Sequence, residues 1–277
     1  MARPQFDSGF EERLTQLERL ALPSVRLLHR AQAALEVREI LAILHPAETS
    51  IRDRANGLLQ RLRQVDEFQL GPVRAALTRG APSPEMLDKC LSELARPDID
   101  AFLEKVLEIE RGDGMPQELG PNLVPYHPSP AWAALAVARR LRPEDTLFEL
   151  GCGLGKVTLI AGLWSRASVV GIEIEERLAA RARARAAALA PRVTIRVEDA
   201  RESDLSTGTD FYLYTPFLGD VLTEVLYHLE AVAWTHPIRV WTLGRVTEEV
   251  GLVGWLEPDL EIQTLVRYRS NLIEGRE

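Results

Sequence analysis

Three acids, Glu149, Glu173 and Asp199, stand where carboxylates could hold a cationic, hydroxyl-bearing ligand. Carboxylates accept charge-assisted hydrogen bonds, which are shorter and stronger than neutral ones. Glu149 lies in the apolar run Thr146-Leu147-Phe148-Glu149-Leu150, which leads directly into Gly151-Cys152-Gly153-Leu154-Gly155. Glycines at alternate positions let a backbone come close to a ligand, because no side chain intrudes. A helix expected from Lys156 to Trp164 offers unpaired N–H donors at the same place. Glu173 ends a second apolar run, Ala167 to Ile172, 18 positions beyond Gly155. In nucleotide-binding α/β units an acid at about this distance pairs with ribose hydroxyls. Asp199 follows a third run, Val193 to Val197.

Two phosphate-binding patterns fail at defined residues. A dinucleotide fingerprint needs a third glycine where Lys156 stands. A P-loop needs glycine at Leu150 and a hydroxyl residue at Val157. A fourth run, Asp210 to Tyr214, ends in Thr215-Pro216-Phe217. Proline has no N–H, so strand pairing must stop there and the chain must leave the sheet. That exit places Phe217 beside the crevice outside the strand ends, where its ring could hold a planar or cationic group. The Thr215 hydroxyl can accept one hydrogen bond there. Tyr126 lies in Tyr126-His127-Pro128-Ser129-Pro130, just before a helix. Blander alternatives stand beside these readings. The glycine turn could bind nothing, Glu173 and Asp199 could be helix-capping or loop acids, and Phe217 could simply pack under the next helix.

These residues need a parallel sheet to position them. From Ala131 onward the order is helix, strand, glycine turn, helix, strand, helix, strand, which argues for an α/β domain over residues 131–277. Ile238 to Leu243 reads as a fifth strand and Leu260 to Tyr268 as one last strand near an edge. Residues 1–110 show helical periodicity and form an all-helical N-terminal domain. Its helices are expected at Ser24–Leu44, Ile51–Phe68, Pro72–Thr78, Pro84–Leu94 and Asp98–Glu110, with Ser83 and Asp98 as N-caps. Residues 111–130, rich in glycine and proline, are a linker or a lid.

Composition sets outer bounds. The chain has 277 residues, 46% apolar and 27% charged, as soluble globular proteins do. No apolar run is long enough to span a membrane, and no signal peptide is recognisable, so a cytoplasmic location is expected. The cysteines, Cys90 and Cys152, suit a reducing compartment and offer no zinc spacing, so no metal is expected. A net charge of -8 argues against a broadly cationic nucleic-acid surface.

The series E-x-G-x-G-x-G, Glu173, Asp199 and Thr215-Pro216-Phe217 resembles the class I S-adenosyl-L-methionine (SAM) methyltransferases, over about residues 122–270. The resemblance implies a Rossmann-like sheet flanked by helices, SAM as cofactor and methyl transfer as activity. It implies that Glu149 accepts from the SAM amino group, that Gly151, Gly153 and Gly155 admit the aminoacyl and ribose portions, and that Glu173 holds the ribose hydroxyls. It gives Asp199 the adenine amino group. Tyr126, in a segment similar to one that many of these enzymes fold over SAM, is expected to close over Thr215 and Phe217 on the acceptor side. A finer resemblance, carried by Tyr126 to Pro130, Phe211 to Phe217 and Trp255 to Asp259, is to bacterial relatives of non-SET protein-lysine methyltransferases. It implies a protein side-chain amine as acceptor. A small metabolite is the alternative acceptor, and a non-catalytic SAM-binding module the alternative function. Thr215 with a single following proline departs from the Asn or Asp before Pro-Pro-aromatic of several amino-group methyltransferases.

Overall fold

The computed structural model describes residues 7–79, 83–109, 122–124 and 126–272. Most of the expected linker or lid, residues 110–121 and 125, lies outside the described residues. The chain divides into two compact units, one of residues 1–80 and 90–112, the other of 81–89 and 113–277. No helix among the described residues is long and apolar enough to cross a membrane.

The first unit contains α1 (Asp7–Glu18), α2 (Leu27–Ile43), α3 (Thr49–Arg79) and α5 (Arg96–Val106), while α4 (Pro84–Ser92) runs across the division. Leu14 and Leu17 of α1, Val37 and Ile40 of α2, and Ile51, Leu58 and Leu62 of α3 build its core. The two helices expected at 51–68 and 72–78 are one. Pro72 lies inside α3 and removes a single backbone hydrogen bond, the one to the Phe68 carbonyl. Phe68 is on the solvent side, 82% exposed, while Leu58, Leu62, Leu70 and Leu77 remain buried across the interruption. Tertiary burial therefore outweighs the proline.

Ser83 caps α4 as expected, accepting from Met86 N at 3.3 Å. Asp98 does not cap its own helix, which starts at Arg96. Its carboxylate instead accepts from Leu28 N at 3.1 Å and from Arg26 at 2.9 Å, capping α2 across space. The same unit holds a buried ion cluster. Asp66 of α3 accepts from Arg30 of α2 at 2.9 Å and pairs with Lys105 of α5 at 2.6 Å. Arg30 also donates to Val25 O and Gln69 Oε1.

The second unit is a seven-stranded sheet with order β3-β2-β1-β4-β5-β7-β6. Strands β1 (Thr146–Leu150), β2 (Ser168–Glu173), β3 (Val193–Val197), β4 (Asp210–Tyr214) and β5 (Arg239–Leu243) are parallel. The near-continuous burial of β1, β2, β4 and β5 is that of a sheet covered on both faces. Helices α6 (Ala131–Ala138), α7 (Lys156–Trp164), α8 (Glu176–Leu189) and α9 (Gly219–Ala233) alternate with them, and a short α10 (Val246–Val250) follows β5. The single last strand expected over 260–268 is a hairpin, β6 (Leu256–Ile262) with β7 (Leu265–Ser270), and β7 runs antiparallel to β5. Its tight turn holds Gln263 at φ 55° without the glycine or asparagine that usually marks such a turn. Pro258 sits on the edge strand at a bulge, where a missing N–H is tolerated.

Two polar clusters join the sheet to its surroundings. Buried Asp210, at the start of β4, accepts from Trp241 Nε1 at 2.9 Å and from Arg239 at 2.6 Å, and Arg239 also reaches Asp145 at 2.6 Å. Asp88 of α4 accepts from Trp164 Nε1 at 2.9 Å and from Arg139 at 2.5 Å, which binds residues 84–89 to this unit. Glu149 on β1 turns inward to the start of α7, where it accepts from Thr158 N at 2.7 Å and from the Thr158 hydroxyl. Burial pushes its carboxyl up from about 4.5 to about 8, against the two Thr158 donors, which favour the charged form.

Asp66→Ala should cost about 3–5 kcal/mol in urea unfolding, because it strands two cations in a helical interior. A loss no larger than that of a surface mutation would show that the cluster is solvated. For Glu149 the folded pKa lies above the unfolded one, so its contribution to stability is lost as pH rises from about 4.5 toward about 8. Glu149→Gln keeps an acceptor for Thr158 and should flatten that decline by up to a few kcal/mol between about pH 5 and about pH 8. Urea midpoints across that range, without ligand, measure it. An unchanged slope would place the titration elsewhere.

Candidate functional site

The order of strands reverses between β1 and β4, and a cavity of about 290 Å³ opens outside their carboxyl ends. Ligands of open α/β sheets bind at this switch point. One half of the cavity is lined by Ile172 and Glu173 at the end of β2, Glu175 before α8, and Glu198 and Asp199 after β3. The other half is lined by Tyr126, Tyr214, Thr215, Phe217 and Arg245.

The turn after β1 sets the floor. Gly151 N and Cys152 N both donate to Ile172 O at 2.9 Å. Gly151 and Gly153 are left-handed, with φ 77° and 54°, and have no room for a side chain. A Cβ on Gly151 would lie 2.3 Å from Pro216, and one on Gly153 would lie 2.2 Å from the Tyr126 ring. Protein side chains thus use the close approach that the glycines allow. Gly151 lines the cavity, whereas Gly153 and Gly155 do not, and Gly155 faces Ala182 of α8.

Glu173 is fixed by the turn it faces. One carboxylate oxygen accepts from Gly153 N at 2.7 Å and the other from Glu175 N at 2.8 Å. Each oxygen retains lone pairs for further donors, such as the two hydroxyls of a ribose. Burial raises the Glu173 carboxyl above its ordinary range, while its backbone donors oppose the shift. Asp199 lines the cavity with its carboxylate gripped by Arg201 at 2.6 Å, and this bond holds it below the usual range. Glu149 does not line the cavity; its carboxylate is turned to Thr158 beneath the turn.

The opposite wall is built by a pairing that the sequence did not announce. Residues 122–124 run antiparallel to the exit of β4: Val124 N donates to Pro216 O at 3.1 Å, and Leu218 N donates to Asn122 O at 2.9 Å. This brings Tyr126 onto Gly153 and sets the His127 ring 5.9 Å from that of Tyr214. Thr215 has φ 45°, a strained conformation for a β-branched residue. Its hydroxyl donates to Leu243 O at 3.2 Å and accepts from Val246 N at 3.4 Å, bracing the end of β4 to the loop after β5. Phe217 both lines the cavity and packs into the core with Val221, Val225 and Leu229 of α9.

Sequence reading missed Glu175, Glu198 and Arg245 as cavity residues. Glu175 and Glu198 adjoin the acids that were singled out. Arg245 follows the fifth strand, so the rule that strand ends carry the site would have found it. The cavity residues fit SAM. Four carboxylates suit a ligand with two positive groups and several donors, and the half opposite them is largely aromatic, with Thr215 and one arginine.

Residues 147–218 match a family model described as a methyltransferase domain. Two curated relatives are ribosomal RNA small subunit methyltransferases A. The one from Corynebacterium efficiens is 37% identical over 123 residues, covering 42% of this chain and 41% of its own. The one from Corynebacterium glutamicum is 38% identical over 143 residues, covering 48% and 47%. The chain thus spans less than half the length of these relatives. Among solved structures, an RNA methyltransferase from Salinibacter ruber in complex with S-adenosyl-L-homocysteine is similar at 25% identity and a TM-score of 0.40, covering 52% of this chain and 92% of that one. With the seven-stranded order, the glycine turn and the matched domain together, this chain carries the class I, Rossmann-like fold of the SAM-dependent methyltransferases.

Proposed function

We propose that the protein is a SAM-dependent methyltransferase acting on a base of RNA. The observation that carries the activity is the two-part cavity at the switch point, with carboxylates in one half and Tyr126, Tyr214 and Phe217 in the other. The names of the two Corynebacterium relatives direct the acceptor toward RNA. They give no support to the protein side-chain amine expected from the finer resemblance. They also weigh against the expectation, drawn from net charge, that nucleic acid is disfavoured. Net charge is a property of the whole surface, whereas an acceptor base needs only a pocket and a few local contacts.

On this reading Glu173 takes the ribose hydroxyls, and Asp199 accepts from the adenine amino group beside its pairing with Arg201. Glu149 supports the turn from below through its bonds to Thr158. SAM supplies an activated methyl group on sulfur. The chain's own task is to align the acceptor with it, and alignment is a large part of the rate of such a transfer. Tyr214 and the largely buried Phe217 line the half where a base would enter, and Tyr126 covers the turn. Thr215 holds this wall through its bonds to Leu243 and Val246, so its role is positional.

Incubation with methyl-labelled SAM and an unmodified small-subunit ribosomal RNA transcript tests the reading directly; label in the RNA supports it. Label confined to protein would overturn the acceptor, and no label in any macromolecule would favour a metabolite acceptor or a non-catalytic module. Glu173→Ala should weaken SAM by about 1.5–3 kcal/mol in titration calorimetry, the range for hydrogen bonds to a charged group. Because burial raises the Glu173 carboxyl, SAM should bind with release of protons and weaken as pH falls. Calorimetry in buffers of different ionisation enthalpy reads that release. Undiminished affinity in a folded Glu173→Ala protein would remove the ribose assignment. Thr215→Val should lower transfer more than SAM affinity; equal losses in both would make Thr215 purely structural.

A further inference from the structure

The cavity is divided by charge as well as by shape. Glu173, Glu175, Glu198 and Asp199 all lie in the half between β2 and β3. The half between β4 and β5 holds no carboxylate among its described lining residues, and its one arginine is Arg245. Arg245 is exposed, and its guanidinium has no carboxylate partner among the described residues, although Glu248 and Glu249 follow in α10. Arg201, beside the acidic half, is by contrast committed to Asp199.

The backbone of Arg245 is fixed. Gly244 precedes it at φ 79°, a conformation that a side chain would strain. A Cβ on Gly244 would also meet Thr215 Oγ1 at 2.7 Å. The Thr215 hydroxyl bonds Leu243 O on one side of the turn and Val246 N on the other, and Thr247 N donates to Gly244 O at 3.1 Å. The strained threonine thus holds in place the turn that carries the arginine.

From this arrangement we infer that Arg245 is an acceptor-selecting residue, which contacts a backbone phosphate next to the methylated base. The inference rests on the RNA reading above and deepens it. An ammonium acceptor entering this half would find a cation and no carboxylate. A neutral base carried by an anionic strand would find aromatic faces and a guanidinium, whose planar fork suits phosphate oxygens. The brace through Thr215 sets the distance between the two contacts.

The test uses the full chain and the same unmodified small-subunit ribosomal RNA transcript, with Arg245→Ala, Arg245→Lys and a charge-matched control, Arg192→Ala, which lies away from this cavity. Arg245→Ala should raise the KM for RNA roughly tenfold or more, the scale of one charge-assisted contact, with SAM affinity unchanged. The slope of log binding constant against log salt should become shallower by about 0.7–0.9, the loss of a single phosphate contact. Arg245→Lys should recover part of the KM, and Arg192→Ala should keep both values. If the wild type methylates the transcript and Arg245→Ala matches it in KM and salt slope, the assignment of Arg245 is wrong and the RNA reading stands. If the wild type leaves the transcript unlabelled, or labels lysine side chains of an added protein mixture instead, both fall together.

Discussion

Everything at the working end of the sheet is arranged around a turn that has no inner side chains. Gly151 and Gly153 occupy left-handed backbone space and leave their faces bare. Pro216 closes on the first, the Tyr126 ring on the second, and Glu173 reaches across to accept from Gly153 N. A methyl group at either glycine would lie 2.2–2.3 Å from a neighbouring carbon, far inside van der Waals contact, so at least one wall would have to move. The turn thereby couples three separate stretches: the residues before α6, the end of β2 and the exit from β4. Loss of that coupling would displace both halves of the cavity at once.

The turn is also an electrostatic device. Two buried carboxylates, Glu149 below it and Glu173 beside it, are both pushed upward by burial. Buried charge is costly without a partner, and backbone and hydroxyl donors compensate only part of that cost here. A cationic ligand in the cavity would supply the rest. The domain is therefore less stable empty at neutral pH than an apolar core of equal size would be, and binding and folding are linked through the same protons.

The acceptor wall uses backbone strain for a similar end. Thr215 adopts a conformation that a β-branched residue disfavours, by roughly 1–3 kcal/mol, and two hydrogen bonds and the adjoining Pro216 and Phe217 hold it there. What the strain secures is the relation between the β4 exit and the Gly244–Arg245 turn. The cavity is divided by charge accordingly: acids come from the end of β2 and the residues after β2 and β3, aromatic groups from Tyr126 and the end of β4, and the cation from the turn after β5.

Much of this could be read in the sequence. Strand order by period, the glycine turn, Glu173 and Asp199 at successive strand ends, and Phe217 beyond Pro216 are local statements, because period and turn chemistry act over a few residues. The unbroken α3 was hidden, since Pro72 is a local helix-breaking signal and the burial of Leu70 and Leu77 in the folded chain is not. The β6–β7 hairpin was hidden because Gln263 supplies the positive φ that glycine or asparagine usually signals. The direction in which Glu149 points, the cap that Asp98 gives to α2 and the place of Arg245 depend on which segments meet in space. The sequence by itself determined the elements and the chemistry at their ends. Tertiary structure alone decided which of those groups share a cavity and which are used to hold it together, because a side chain's partners are set by long-range packing rather than by its neighbours in the chain.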